Sequence, residues 1–110
     1  MKSDRKGAFV VSDRIYTIEE LREQMTPVFR QYHVKKAVLF GSYGKGIPNE
    51  KSDVDLFVDS GLKGLQFVGF MEDLRMSLNK EIDVFDRTHI EQGTKIDSEI
   101  NNTGVLIYEE

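Results

Sequence analysis

Residues 36–59 read KAVLFGSYGKGIPNEKSDVDLFVD, and this stretch decides the fold. Its first five residues, Lys36–Phe40, form a short apolar run that stops at Gly41, a pattern that predicts a buried strand. The glycines and the proline within residues 41–49 predict a loop with room for one helical turn. In residues 53–59 every second residue is Val or Leu, which is the two-residue period of a half-buried strand. The stretch therefore predicts two strands joined by a glycine-rich loop.

A helical pattern precedes this stretch. Thr17 stands three residues before Glu20, which is the spacing of a capping box at a helix start. Pro27 predicts either a kink or a restart of the helix with Thr26 as its cap, because proline lacks an amide and clashes with the preceding turn. The apolar residues recur at steps of three and four and define one helical face: Ile18, Leu21, Met25, Val28, Phe29 and Tyr32.

After residue 59 the chain alternates between helical and strand patterns. Residues 66–78 have helical spacing, residues 82–85 form a short apolar strand, and Ile96 and Ile100 indicate a short helix that Gly104 ends. A last apolar run, residues 105–108, predicts a final strand. This order of elements predicts an α/β or α+β fold with a sheet of roughly three to five strands.

Composition narrows the class of protein. The 110 residues carry 15 Lys and Arg against 19 Asp and Glu, a net charge of −4, and no Cys. We expect a single domain over residues 1–110, with residues 1–13 as an arm or an edge strand. The acidic balance disfavours a protein that binds nucleic-acid phosphates, and the lack of Cys excludes disulfides and thiolate zinc sites. No apolar run approaches the length of a membrane span, so we expect a soluble, cytoplasmic protein.

The chemically unusual residues are two carboxylates on the second strand. Asp53 and Asp55 are two residues apart, so on a strand their side chains project from the same face. Adjacent carboxylates raise each other's pKa unless a cation lies between them, and Mg²⁺ prefers such oxygen ligands together with substrate phosphates. The alternative is that both residues form the solvated side of an edge strand, and the pair alone does not exclude it.

The glycine-rich loop is a candidate phosphate site. Gly41 and Ser42 end a buried strand, where a turn exposes backbone amides beside the Ser42 hydroxyl. The alternative is a plain turn without a ligand. The loop is not a Walker A motif, because Ile47 stands where that motif needs lysine.

Taken together, these motifs resemble a known family. A strand that ends in Gly-Ser, a glycine loop and then Ser-Asp-x-Asp-Leu are similar to the minimal nucleotidyltransferases, the small prokaryotic branch of the DNA polymerase β-like superfamily, and in particular to their antitoxin type. This chain departs from the family pattern at Gly44, where Ala is usual, and at Lys45, where Arg is common. The matching residues are Gly41, Ser42, Gly46, Ser52, Asp53, Asp55 and Leu56.

The resemblance implies a small mixed sheet with helices packed mainly on one face, and it implies a third carboxylate on the strand at residues 82–85. Asp83 is the choice over Asp86, because Asp86 falls at the strand end with the opposite parity and is typical of a turn or cap residue. Asp53, Asp55 and Asp83 would then be the catalytic residues and would hold two Mg²⁺ ions. ATP would bind as substrate through the phosphate-binding set Gly41, Ser42, Lys45, Gly46 and Ser52.

The resemblance also implies a reaction and a partner. The expected reaction transfers a nucleoside monophosphate, AMP from ATP, to a hydroxyl acceptor. That acceptor is expected on a helical HEPN-type protein, as in HEPN/MNT toxin–antitoxin pairs. The alternative is a non-catalytic antitoxin or regulatory subunit that keeps the fold. The presence of all three carboxylates favours catalysis, and the sequence leaves self-association open.

Overall fold

A computed structural model describes residues 15–49 and 52–110. The arm or edge strand expected in residues 1–13 therefore lies outside the described residues. The elements in chain order are α1 Ile18–Gln31, β1 Lys36–Phe40, α2 Gly41–Lys45, β2 Val54–Asp59, α3 Leu65–Leu78, β3 Ile82–Asp86, a 3₁₀ turn Arg87–His89, α4 Lys95–Thr103 and β4 Val105–Glu109. Within these segments no helix is long and apolar enough to cross a membrane.

The strands form one mixed sheet with the order β3-β2-β1-β4. Strand β1 is antiparallel to both of its neighbours, β2 and β4, whereas β2 and β3 run parallel. The connection from β2 to β3 passes through α3, as a parallel pair requires. The predicted mixed α/β architecture is confirmed.

One face of the sheet carries the main core. The long helices α1 and α3 cover it, and they contact each other through Phe29 and Phe70, whose ring centroids are 6.2 Å apart. Thr17 and Glu20 form the predicted capping box at the start of α1. The helix continues through Pro27 as one element, so the predicted restart at Thr26 does not occur; the Thr26 hydroxyl instead donates to the Arg22 carbonyl.

The other face of the sheet, called here the second face, is only partly covered. It carries the alternate residues of β2 and β3, among them Asp55 and Phe85, because the residues of opposite parity enter the main core. The short helix α4 lies on this side and contacts β1 and α2, whereas Tyr43 of α2 belongs to the main core. A cavity of about 600 Å³ remains at the far end of the sheet, where Lys36, Asp59 and Glu109 lie.

An arginine covers part of the β4 edge of the sheet. The Arg22 side chain reaches from α1 and donates to the carbonyls of Ile107 and Leu106, at 3.3 and 3.2 Å. An edge strand otherwise presents these carbonyls to any other strand. The guanidinium thus joins α1 to β4 and shields that edge.

Candidate active site

The three predicted carboxylates come from neighbouring strands and meet on the second face. Asp55 lies on β2 directly opposite Asp83 in the parallel register with β3. Asp53 immediately precedes β2 and has the parity of Asp55. Asp55 is half-buried, whereas Asp53 and Asp83 are exposed. The fold therefore brings together one shielded and two accessible carboxylates.

The electrostatics of Asp55 show that these groups interact. Burial raises the pKa of Asp55, and the charges of Asp83, Asp53 and Glu99 raise it further, to about 6. The nearness of the Asp83 carboxyl group adds to this rise in the pKa of Asp55. A charged Asp55 is thus disfavoured in the protein alone and would be favoured by a nearby cation.

Gly41 makes room for this cluster. It follows β1 directly and has a φ of +69°, in the left-handed region that favours glycine. A Cβ at this position would overlap Asp55 Oδ2 and would lie 3.1 Å from Asp55 Cγ. The glycine therefore allows the β1–α2 junction to pass against the Asp55 carboxylate, a reason for glycine that the sequence pattern did not reveal.

The other predicted phosphate-binding residues lie in the turn α2 and in the chain that returns to β2. Residues 41–45 form the single helical turn α2, which Gly46 ends in a left-handed conformation with a φ of +79°. Ser42 is half-buried and Lys45 is exposed. The hydroxyl of Ser52 accepts a hydrogen bond from the Asn49 amide at 2.9 Å. Ser52 thus holds the loop immediately before Asp53, a role the motif alone did not indicate.

Gly44 explains one departure from the family pattern. A Cβ on Gly44 would lie 2.5 Å from the carbonyl oxygen of Thr103 and 3.0 Å from that of Leu39. The alanine that is usual at this position would require α4 to shift away from α2. Glycine at position 44 therefore allows the end of α4 to pack closely against the loop.

Asp86 is not part of the cluster. It is 2 % exposed and caps the 3₁₀ turn after β3, as predicted for a turn or cap residue. Its carboxylate accepts hydrogen bonds from the amides and hydroxyls of Ser60 and Thr88. Burial acts to raise the pKa of Asp86, but these hydrogen bonds outweigh it and lower the pKa. Asp86 therefore fixes the far end of β3.

Sequence reasoning overlooked Glu99. This residue lies on α4, outside the recognised motifs, and its charge acts on Asp55. The available signal was its place beside Ile100 on a predicted amphipathic helix, and that spacing indicates packing rather than chemistry.

The donor set fits a divalent cation that arrives with a nucleotide. Among residues 15–49 and 52–110, no three carboxylate or imidazole groups already converge to hold an ion on their own. Mg²⁺ commonly takes only one or two carboxylates and completes its shell with substrate phosphates and water. The mutual repulsion at Asp55 is what such an ion would relieve.

Comparison with known proteins identifies a family that matches this chain and solved structures that have the same fold. Residues 23–110 match the family described as "Polymerase beta, Nucleotidyltransferase". A curated protein of Methanocaldococcus jannaschii named "Putative protein adenylyltransferase" is 35% identical over 69 residues, which cover 61% of this chain and 74% of that protein.

Solved structures with this fold include two toxin–antitoxin complexes. A crystal structure of a toxin–antitoxin with AMP-PNP has a TM-score of 0.68 and 19% identity and covers 81% of this chain and 73% of its own. The complex of a tri-AMPylated Shewanella oneidensis HEPN toxin with an MNT antitoxin has a TM-score of 0.64 and 16% identity, with 84% and 73% covered. At these low identities the solved structures show only that the fold is alike. The family match shows more, because it spans most of the chain. The chain therefore belongs to the polymerase β-type nucleotidyltransferase family.

Proposed function

We propose that this protein is a divalent-cation-dependent adenylyltransferase that transfers AMP from ATP to a hydroxyl of a partner protein. The observation that carries the proposal is the pairing of Asp55 with Asp83 on adjacent strands, with Asp53 on the same face and Gly41 against the Asp55 carboxylate. A solvated edge strand would not need this arrangement, because β2 is a central strand of the sheet.

The family resemblance implies the roles of the three carboxylates. Asp53 and Asp55 would hold Mg²⁺ on the triphosphate, and Asp83 would join them in holding a second ion. When bound, such ions stabilise charge on the phosphoryl oxygens and lower the pKa of the acceptor hydroxyl. Since Asp53 and Asp83 are exposed, both are accessible to a nucleotide that approaches the second face.

The loop would bind the phosphates of ATP. Ser42 and the backbone of Gly41 lie at the start of α2, next to Asp55. Gly46 ends that turn and Ser52 fixes the return of the chain to Asp53. Lys45 is exposed and would neutralise charge on the leaving pyrophosphate. These residues would orient the triphosphate so that its α-phosphate faces the carboxylates.

The reaction is a displacement at the α-phosphate. The acceptor oxygen forms a bond to the α-phosphorus, and the bond from that phosphorus to the oxygen that bridges to the β-phosphate breaks. Pyrophosphate leaves with the bonding electrons, and the hydroxyl proton passes to a carboxylate of the cluster or to water. The product is the AMP ester of the acceptor.

A protein acceptor is supported by the relatives. One relative is named "Putative protein adenylyltransferase", and one structure of the same fold is a complex of an MNT antitoxin with an AMPylated HEPN toxin. We therefore expect a helical HEPN-type partner with a hydroxyl side chain, tyrosine by family resemblance, as the acceptor.

Intact-mass spectrometry tests the proposal. The protein is incubated with ATP, Mg²⁺ and a HEPN-type protein encoded beside it, and the partner should gain the mass of AMP less water. Asp53→Asn serves as the matched inactive variant, because it removes one charge from an exposed side chain. A partner that is bound equally well by the wild type and the variant, and that gains no mass, would identify a binding protein and refute the transferase.

A further inference from the structure

A cavity on the second face lies beyond the carboxylate cluster. Its walls come from β1, β2 and β4 of the sheet and from helix α4. Its volume of about 600 Å³ is within the range of roughly 300–1,000 Å³ that is usual for ligand pockets. Because these segments are distant from one another in the sequence, the folded protein as a whole forms the cavity.

The strand register places the carboxylate cluster between the glycine-rich loop and this cavity. On β1, Phe40 pairs with Asp55 and is followed directly by Gly41 of the loop. Two residues earlier on β1, Val38 pairs with Phe57, and both of these residues line the cavity. Since a strand rises about 3.3 Å per residue, the Cα of Phe57 lies about 7 Å from that of Asp55, on the side away from the loop.

The chemistry of the proposed reaction assigns that side to the acceptor. In phosphoryl transfer the attacking and leaving oxygens lie roughly in line on opposite sides of the phosphorus. The proposed function places the leaving pyrophosphate at the loop, so the acceptor oxygen approaches the α-phosphorus from the side of the cavity. The ribose oxygen is not on this line, because it stays bonded to the phosphorus in the plane between the attacking and leaving oxygens.

The inner part of the cavity suits an aromatic side chain. Phe57 lies opposite Phe85 in the register of β2 and β3, and Phe85 packs against Phe40 with ring centroids 5.7 Å apart. Ile100 of α4 and Leu106 of β4 add apolar walls. Leu106 is 45 % exposed, so part of this apolar surface is open to a ligand. A tyrosine combines a ring that packs on such a surface with the hydroxyl that the reaction needs.

The outer end of the cavity carries charges of both signs. In the sheet register, Lys36 lies opposite Asp59 on one adjacent strand and Glu109 on the other. The Nε atom of Arg87 lies 3.6 Å from Asp59 Oδ1. An apolar centre with a polar rim is the usual arrangement of a protein–protein interface, so this end suits the polypeptide that surrounds an inserted aromatic side chain.

We propose that this cavity is the acceptor pocket and receives a tyrosine side chain of the partner protein. The ring packs between Phe57 and Ile100, the phenol oxygen points along β2 toward Asp55, and the flanking segment of the partner lies on the charged rim. The inference rests on the proposed function and adds the place where the partner enters the site. In the transfer the phenol oxygen bonds to the α-phosphorus, pyrophosphate leaves with the electrons of the broken bond, and the phenol proton passes to a carboxylate or to water.

The first test fills the cavity from an exposed position. Asn101 lines the cavity and is exposed on α4, so Asn101→Trp adds bulk without removing a core side chain. With the HEPN-type protein encoded beside this one as acceptor, kcat/KM for the acceptor should fall roughly tenfold or more. The affinity for ATP with Mn²⁺ should stay at the wild-type value, which also shows that the variant is folded.

Asn102→Trp is the matched control. Asn102 is an exposed asparagine on the same helix and is not among the described residues that line the cavity. The control should transfer AMP like the wild type.

The second test measures what occupies the cavity without relying on catalysis. The chain has no Cys, so Asn101→Cys and Asn102→Cys each carry a single thiol that iodoacetamide can alkylate. With the partner at about ten times its dissociation constant, alkylation of Asn101→Cys should slow roughly tenfold. Alkylation of Asn102→Cys should change much less, and ATP with Mn²⁺ alone should slow neither reaction.

The possible outcomes separate this inference from the proposed function. Wild-type kcat/KM in Asn101→Trp, or an equal fall in Asn102→Trp, would overturn the acceptor pocket and leave the proposed function intact. Weaker ATP binding by Asn101→Trp, or protection of Asn101→Cys by ATP alone, would assign the cavity to the nucleotide and overturn the inference. Equal protection of the two thiols by the partner would place it on the outer surface of α4 and contradict the inference as well. A wild type that transfers no AMP to the partner would overturn both.

Discussion

Asp55 and Asp86 lie near opposite ends of the β2–β3 pair, and their pKa values move in opposite directions. Burial and the charges of neighbouring carboxylates raise the pKa of Asp55 to about 6. Burial acts on Asp86 in the same direction, but hydrogen bonds from Ser60 and Thr88 outweigh it and lower the pKa of Asp86. The same side chain on the same pair of strands is thus disfavoured as an anion at one end and stabilised as an anion at the other.

The difference separates a structural carboxylate from a candidate ligand. Asp86 has its oxygens occupied by amides and hydroxyls, so its charge fixes the 3₁₀ turn and the end of β3. Asp55 shares its surroundings with other carboxylates, so its charge would be stabilised by a cation from outside. Burial alone would have pointed to Asp86, which is the more deeply buried of the two.

The largest effect should come from removing charges at the Asp55 end. Asp53→Asn, Asp55→Asn and Asp83→Asn should each slow AMP transfer by roughly a hundredfold or more, because a metal's contribution to phosphoryl transfer is several kcal/mol. The rate of appearance of the modified partner, followed by mass spectrometry, measures this effect.

Asp86→Asn is the control at the other end. It should lower the free energy of unfolding by about 1–3 kcal/mol, because buried hydrogen bonds to a charged group are weakened. Transfer by the folded variant should stay close to that of the wild type. If Asp86→Asn were as inactive as Asp83→Asn while fully folded, the assignment of the two carboxylates would be wrong.

A pair of glycine-to-alanine variants distinguishes a loss of space beside Asp55 from backbone strain. Gly41→Ala places a Cβ on the Asp55 carboxylate at a φ of +69° and should slow transfer by roughly tenfold to a hundredfold. Gly61→Ala, after β2 and outside the glycine-rich loop, has a similar φ, +71°, but no atom within 4 Å of its new Cβ. It should show only the strain, about 1–2 kcal/mol of stability.

The pair of glycine variants is compared by transfer rate and by chemical denaturation. Equal losses of transfer in the two variants would show that backbone strain, and not the space in front of Asp55, causes the loss in Gly41→Ala.

The smallest effect is on stability and depends on pH. In the unfolded chain Asp55 loses its proton near the ordinary value of 3.8, whereas the folded protein keeps it up to about pH 6. The folded state therefore binds more protons in this window, and stability falls as the pH rises through it. Above the pKa of Asp55 in the folded protein, this loss of stability is complete. Asp55→Asn does not suffer the loss, because asparagine carries no charge.

Without divalent cations, Asp55→Asn should thus be more stable than the wild type at pH 7.5. Because Asp55 is only half-buried and solvent screens its charge, we expect a difference of about 1 kcal/mol in the free energy of unfolding. Thermal unfolding at pH 7.5 and pH 3.5 should show the difference at the higher pH alone. A less stable variant at both values would mean that Asp55 is held by favourable contacts.

Most of the fold could be predicted from the sequence, because its signals are local. The capping box at Thr17 and the alternation in β2 appear where expected, and Gly104 ends α4. Of the two outcomes predicted for Pro27, the restart of the helix at Thr26 is wrong, since the helix continues past Pro27 as one element. A missing amide at an exposed position does not stop a helix whose other face is buried against a core.

The site was less predictable, because part of it depends on packing between distant segments. The alternation of residues along β3 predicted that Asp83 lies on the same face as Asp55 and that Asp86 is a turn or cap residue. The fit of Gly41 against Asp55 and the effect of the Glu99 charge on the pKa of Asp55 were not, because each depends on how distant segments pack together. No spacing in the sequence encodes that packing.

The shielding of β4 by Arg22 limits how another protein can join this sheet. Strand addition needs free carbonyls and amides along an edge, and the guanidinium already occupies the carbonyls of Leu106 and Ile107. A β-strand from a partner would have to displace a side chain anchored on α1. Association at this edge by a shared, extended sheet is therefore disfavoured, and a partner at this end of the sheet would bind through side chains on helical or sheet faces.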